Sequence, residues 1–465
     1  MSCGPGVFLV ALLAVTAPVL AQEAPRRPNL LVLLTDDQRF DSMGCAGNPL
    51  VDTPHLDALA REGVRFRNAF VTTPICAASR ASILCGAYES AHGFTFGTPP
   101  LGDTWVDASY PARLRAAGYR TGFVGKFGVT TAKGATARMF DSFVVLGTPY
   151  VKELPDGTER HLTDREADRA LEFLDGCSAD QPWCLSVSFN APHAEDGAKE
   201  QYFWPTAQDA AYADTVFPVP PSMDESFFSG LPQFLRESES RVRFRWRFDE
   251  PAKYQRMVRG YHRMVRGVDA AVGRIRAELA RRGMANDTVV VFTSDNGYFL
   301  GERGFADKWY GYDLSLRVPL LVHDPRAPAL RRGTAVDHVA LNVDLAPTLL
   351  QLAGAEPCAA HQGRSLAGLL GGRAPADWRT DFYFEHRFVH ARIPRSEGVR
   401  TDRFTFIRWI DRQPVVEELY DHRADPDQLQ DLAADPASAG VLASLRARAG
   451  ELRAAVAAPA PASGR

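Results

Sequence analysis

Residues 29–37 read NLLVLLTDD, an almost unbroken apolar run that ends in two carboxylates. A run so short, with no polar alternation, fits a strand buried on both faces, the environment of a parallel sheet. Residues 288–297, TVVVFTSDNG, repeat the pattern: a β-branched run, then an acid and an amide. Further strand candidates lie at 121–124, 185–189 and 318–322, alternating with helical patterns at 53–62 and 251–282. This alternation predicts an α/β fold with a mostly parallel central sheet flanked by helices. Ligands bind beyond the carboxyl ends of such strands, so both acidic clusters fall where a site belongs.

Around that core the chain divides by texture. Residues 28–376 read as one large domain. From 377 to 453 short aromatic pieces, DFYFEH at 381–386 and FTFIRW at 404–409, precede an Ala/Arg-rich helix and predict a smaller C-terminal α+β domain. The Ala/Pro stretch 454–465 reads as a disordered tail. Residues 195–250, rich in aromatics, prolines and charges without a sustained period, read as an insertion over the substrate-facing rim. Within it, RVRFRWRF at 241–248 alternates Arg with apolar residues; as a strand it would put all four arginines on one face, with Trp204 or Trp246 as a stacking surface.

The whole chain of 465 residues has 53 Lys and Arg against 56 Asp and Glu, a net charge of -3, which removes the electrostatic argument for a nucleic-acid partner. Residues 7–21 form an uncharged apolar run too short for a comfortable membrane span, with small residues before a plausible cleavage point. The expectation is a signal peptide over 1–21 and an exported protein, periplasmic, secreted or lumenal, with no stable membrane span, although no Lys or Arg precedes the run. In an oxidising compartment Cys177 and Cys184, which bracket a polar loop, are spaced for a local disulfide.

The chemistry begins with Asp36, Asp37, Asp295 and Asn296, which offer only hard oxygen ligands and so point to Ca²⁺, or Mg²⁺, rather than zinc. A third piece, TTPICAASRASILCG at 72–86, places Cys76 at the start of a helical pattern closed by Gly86. A helix N-terminus favours anions and activates thiols. Arg80 follows four residues on, on the same face, where its guanidinium can hold an anionic oxygen.

Seven motifs, in order, resemble the formylglycine-dependent sulfatases of the alkaline-phosphatase superfamily, the glycan-directed members in particular. They are LLTDDQRFD (33–41), LAREGVRFRNAFVTTPICAASR (59–80), TGFVGK (121–126), FNAPH (189–193), FTSDNG (292–297), ADKWYGYDLSLRVP (306–319) and ELYDHRADP (418–426). The resemblance implies an alkaline-phosphatase-like fold and hydrolysis of a sulfate monoester of a carbohydrate through a covalent sulfo-enzyme intermediate. It implies that a maturation enzyme oxidises Cys76 to formylglycine, whose hydrate is the nucleophile and completes a Ca²⁺ site with Asp36, Asp37, Asp295 and Asn296. That replacement suits the ligand set, since a soft thiolate matches a hard cation poorly. Lys126 and Lys308 would contact sulfate, His193 would touch sulfate or protonate the leaving alcohol, and Arg317 would be structural.

Three positions depart from the family pattern. Gly128 stands where the G-K-x-H motif has a histidine credited with deprotonating the hydrate; Asp295 or His92 are the candidate substitutes. Ala78 replaces the Pro of C-x-P-S-R, and Cys85 replaces a Thr. Two alternatives follow: a phosphonate monoester or phosphodiester hydrolase on the same scaffold, and a non-catalytic binder of sulfated glycans that lost its base.

Overall fold

The computed structural model describes residues 27–178 and 180–457, with residues 1, 2, 4 and 6. The apolar run 7–21, and with it the expected signal peptide, lies outside the described residues, as do residues 458–465 of the expected tail.

NLLVLLTD folds as β1 (Asn29–Asp36). Leu30, Val32 and Leu34 enter one hydrophobic core while Leu31 and Leu33 enter another on the opposite face, which is why the run carries no polar alternation. The other strands of the main sheet are β2 (Val64–Phe66), β3 (Arg120–Gly125), β4 (Ser142–Val145), β5 (Trp183–Pro192), β6 (Thr288–Ser294), β7 (Leu320–His323) and β8 (Thr334–Val336). Their spatial order is β8-β2-β7-β6-β1-β5-β3-β4. β1 lies between β5 and β6, parallel to both, and only β7 runs antiparallel to its neighbours. The sheet is thus mostly parallel, as the alternating pattern predicts.

Helices cover both faces. On one side lie α1 (Pro54–Glu62), α3 (Leu162–Asp175) and the 31-residue α5 (Pro251–Arg281). Along α5 the buried residues Tyr254, Val258, Tyr261, Val265, Val268, Val272, Ile275 and Leu279 recur every three or four positions, the stripe that seats a helix on a sheet. On the other side runs α2 (Cys76–Cys85), all ten of whose residues are buried.

The smaller sheet is antiparallel: β9 (Asp381–His386), β10 (Ser396–Thr401), β11 (Phe404–Trp409) and β12 (Val416–Asp421). Val399, Phe406 and Leu419 on one face are covered by Leu442, Leu445 and Ala449 of α6 (Ala439–Val456). Phe384, Ile407 and Trp409 on the other face join the main core. This sheet bears on the site because Glu385 N donates to Thr72 O at 2.9 Å, just upstream of Cys76.

Three expectations are corrected. Residues 241–248 are not a strand: α4 (Glu239–Arg247) takes them up as a helix. The buried residues Ser240, Phe244 and Arg247 have helical spacing, and Arg stems that cover apolar surface disguise it as a two-residue alternation. Cys177 and Cys184 are both free thiols. Cys184, the second residue of β5, points into the α2-side core, whereas Cys177 packs against the opposite core, so the sheet separates them. The last helix runs to Val456, which is buried against the main core, past the expected start of the tail.

Candidate active site

The parallel register of β1 and β6 pairs Thr35 with Ser294 and so delivers Asp36, Asp37, Asp295 and Asn296 side by side at the carboxyl rim. All four are fully buried. Asp37 adopts φ 68°, turning its carboxylate toward β6, with its own N–H donating to Asp295 Oδ1 at 3.2 Å. Asn296 Nδ2 donates to Asp37 Oδ1 at 2.6 Å. Ligand atoms of Asp36, Asp37 and His193 lie within 4.8 Å of one another. Asp36 Oδ1 and Asn296 Oδ1 are buried acceptors with no hydrogen-bond partner. Orphaned acceptors beside crowded carboxylates are costly unless a cation takes them up, and an all-oxygen donor set suits a hard divalent ion. The residues present therefore fit Ca²⁺ or Mg²⁺.

The crowding also shows in the acidities. Burial, reinforced by Asp36, pushes the Asp295 carboxyl up; burial likewise pushes Asp37 up against the pull of Lys308. Burial opposes ionisation of Asp36 too, but Lys126, His193, Arg80 and Lys308 hold it well below the usual carboxylate range.

Cys76 opens α2 with extended Ile75 before it, and the helix ends at Gly86 in the left-handed region. Burial raises the Cys76 thiol, and Asp36 and Asp295 oppose the help that Lys126 and Lys308 give the thiolate. The helix terminus does not make it an acidic cysteine. Arg80, one turn along, donates Nε to Asp295 Oδ2 at 2.8 Å and NH2 to Asp36 Oδ2 at 3.1 Å, with NH1 on Lys126 O and Ser188 Oγ. Its guanidinium is engaged in tying the two acidic clusters together.

The cations and His193 close the site. Lys126 follows β3 and pairs with Asp36 Oδ2. Lys308 Nζ lies 2.6 and 2.9 Å from the two oxygens of Asp37. His193 follows β5; its Nδ1 faces Ala194 O at 2.6 Å and its Nε2 lies 3.7 Å from Asp37 Oδ2. Burial together with Lys308 and Lys126 lowers its pKa to about 4. Tyr150 Oη donates to the carbonyls of Asn190 and His193 and so anchors the turn that carries this imidazole. The Arg317 guanidinium is engaged elsewhere, bonded to Arg67 O and laid over the Phe40 ring.

One sequence departure acquires a physical reason. Gly128 has φ 69°, and a Cβ there would come 2.9 Å from Arg80 Cδ, so the Arg80 stem occupies the space a larger residue needs. Gly125 is stricter still: its Cβ would meet Ser188 O at 2.0 Å. His92 is excluded as a substitute base. It is buried, with Nε2 3.0 Å from Ser82 Oγ and Nδ1 accepting from Phe94 N, and burial drops its pKa to about 3.

Sequence reasoning missed the layer behind Lys308. Asp307, itself at φ 72°, accepts from Arg247 NH1 at 2.7 Å and Arg243 NH1 at 3.0 Å, and both arginines also bind Asp196. Two arginines of RVRFRWRF thus face inward. Arg241 lies over the Phe228 ring, which leaves Arg245 as the one without an inward contact among the four. The adjacency of Asp307 to Lys308 was the available signal, but its partners lie 60 or more residues away.

An eight-stranded, mostly parallel sheet with an acidic cluster and a cysteine-headed helix at its carboxyl rim, joined to a small antiparallel sheet, is the architecture of the alkaline-phosphatase-like hydrolases. Comparison with known proteins narrows this. The sulfatase family matches residues 28–355, and the C-terminal region of N-sulphoglucosamine sulphohydrolases matches 301–455. The chain belongs to the sulfatase family, hydrolases of sulfuric esters. It is 29% identical to an N-acetylglucosamine-6-O-sulfatase of Bacteroides thetaiotaomicron over 92% of this chain and 87% of that protein. A protein solved in complex with its substrate D-glucosamine-2-N,6-O-disulfate superposes with a TM-score of 0.81 at 26% identity, covering 93% of this chain and 98% of the other. The phosphonate monoester hydrolase of Agrobacterium radiobacter shares the fold, with a TM-score of 0.79 at 23% identity over 92% and 96% of the chains.

Proposed function

We propose that this sulfatase removes sulfate from a carbohydrate monoester, with residue 76 converted to formylglycine by a maturation enzyme and Asp36, Asp37, Asp295 and Asn296 holding Ca²⁺. The observation that carries the reading is the buried acceptor pair, Asp36 Oδ1 and Asn296 Oδ1, left without donors beside a cysteine whose thiol burial disfavours as a nucleophile. When bound, the cation supplies charge neutralisation for sulfuryl oxygens and the converted residue supplies an oxygen nucleophile. Lys126 and Lys308 bring two ammonium groups to the same place, where they counter the charge on sulfate. Arg80 keeps the carboxylates of Asp36 and Asp295 in register. His193 donates Nδ1–H to a backbone carbonyl and turns Nε2 toward the sulfate site, where it can pass a proton to the leaving alcohol only once the ring is protonated. The carbohydrate class is supported by the glucosamine-directed matches in sequence and in structure. No described helix is long and apolar enough to cross a membrane; export is proposed on the apolar run 7–21.

The test is mass analysis of the peptide containing Cys76 from its natural host, paired with a sulfate-release screen on sulfated mono- and oligosaccharides. Loss of the thiol mass in favour of the aldehyde, with sulfate release, is expected. An intact thiol in active enzyme, or a kcat/KM higher on a phenylphosphonate monoester than on every sulfate ester, overturns it.

A further inference from the structure

A second concave site opens beside the acidic cluster: Arg39, two residues beyond Asp37, is on its wall. It is a cleft of about 650 Å³ walled by segments 39–50, 217–222 and 426–429, with residues from α5 and from 300–317. That volume is ordinary for a ligand site. Neither the acidic cluster nor Cys76, Lys126, His193 or Lys308 lines it.

Its charges are largely paired within the fold. Arg39 donates Nε and NH2 to Asp41 at 2.8 and 2.6 Å and NH1 to Glu302 Oε1 at 2.5 Å. Asp313 takes two bonds from Arg400, and Arg317 is spent on Arg67 O and the Phe40 face. The buried groups left over are neutral. Gln428, 2% exposed, accepts at Oε1 from Asp313 N, which fixes its amide and leaves Nε2 without a partner. His262, 5% exposed and stacked on Phe217, has an unpartnered Nδ1 and is kept uncharged by burial.

This chemistry selects among ligands. An anion would meet Asp41, Glu302, Asp313 and Asp427, and a cation would meet Arg39 and Arg317. A polyhydroxylated neutral ring meets neither objection. Carboxylates held ionised by arginine retain lone pairs that accept hydroxyl protons, and an amide NH₂ donates to hydroxyl oxygens. Pro49, Pro218, Pro220, Pro221 and Pro426 line the walls, rigid apolar surface for sugar C–H faces.

The geometry points to a saccharide exosite: the cleft binds an unsulfated part of the glycan whose sulfated sugar is held at residue 76. This rests on the carbohydrate reading above, and its test separates the two. Full-length Cys76→Ala protein is titrated calorimetrically with chemically desulfated, uronate-free hexasaccharides from keratan sulfate, carrageenan and porphyran. At least one binds with a Kd below about 1 mM, and Gln428→Ala and Ala46→Trp each weaken it by about tenfold or more. Ala46 lines the cleft, so an indole there fills it. With residue 76 native, both variants raise KM for the matching sulfated hexasaccharide and leave turnover of the sulfated monosaccharide unchanged. No binding by any of the three, in a protein that releases sulfate from a sulfated monosaccharide, overturns the exosite alone. Binding undiminished in both variants overturns it as well. Absence of sulfate release from every sulfated sugar overturns the carbohydrate-ester reading, while desulfated chains that still bind and are expelled by Ala46→Trp uphold the cleft.

Discussion

Restoring the family's histidine by Gly128→His is expected to damage this enzyme. Gly128 sits at φ 69°, and a Cβ there reaches 2.9 Å from Arg80 Cδ. A side chain in the left-handed region costs about 1–2 kcal/mol. Arg80 cannot swing aside freely, because its guanidinium is bonded to Asp295, Asp36, Lys126 O and Ser188 in a buried setting. Losing one such charged hydrogen bond costs about 1.5–3 kcal/mol. The combined loss is about 2.5–5 kcal/mol, large against the stability of a typical domain. Gly128→Ala carries the backbone strain and the Cβ contact without the imidazole, so it should lose most of the same stability in urea-induced unfolding. Because Arg80 holds Asp36 and Asp295 together, kcat/KM should fall in both variants. A Gly128→His enzyme within about 0.5 kcal/mol of wild type, and faster, would refute the reasoning: the Arg80 stem would then be free to yield.

Three further outcomes are expected. Burial raises Glu166 from 4.5 to about 8, and its only hydrogen bonds among the described residues come from Asn190. The folded state therefore holds a proton that the unfolded state has lost. Stability falls as pH rises from about 4.5 to about 8, by at most about 5 kcal/mol at 1.36 kcal/mol per unit; Glu166→Gln should flatten this slope and be the more stable protein above pH 8 in parallel denaturation curves. Chelation of divalent ions should lower the melting temperature and Ca²⁺ should restore it, with about 2.7 kcal/mol gained at a hundredfold excess over Kd; a midpoint indifferent to Ca²⁺ counts against the site. Arg247→Met removes one of the two arginines paired with the buried Asp307 carboxylate and should destabilise by about 1.5–3 kcal/mol, with kcat reduced through Lys308, the neighbour of Asp307 in the chain; calorimetry and steady-state kinetics report the two effects.

The strands that carry the acidic residues were legible because burial on both faces leaves an unmistakable composition: NLLVLLTDD and TVVVFTSDNG became adjacent parallel strands with their acids aligned. RVRFRWRF was misread because a two-residue alternation is ambiguous when Arg stems pack as apolar groups, and its inward arginines answer to Asp196 and Asp307, distant in the chain. The Cys177–Cys184 pairing failed for a similar reason: eight positions in sequence said nothing of which face of β5 each thiol would join.

By itself the chain's order of residues determined the α/β class, the oxygen-rich cluster, the cysteine at a helix start and the family. These depend on local periodicity and on short motifs that survive without knowledge of distant contacts. Only the tertiary structure decided that Gly128 is confined by Arg80, that His92 is occupied elsewhere, that Lys308 is backed by Asp307 with two arginines, and that a cleft of largely paired charges opens beside the acidic cluster. Each depends on side chains brought together from far along the chain, where packing space and charge balance, rather than spacing, set what a residue can do.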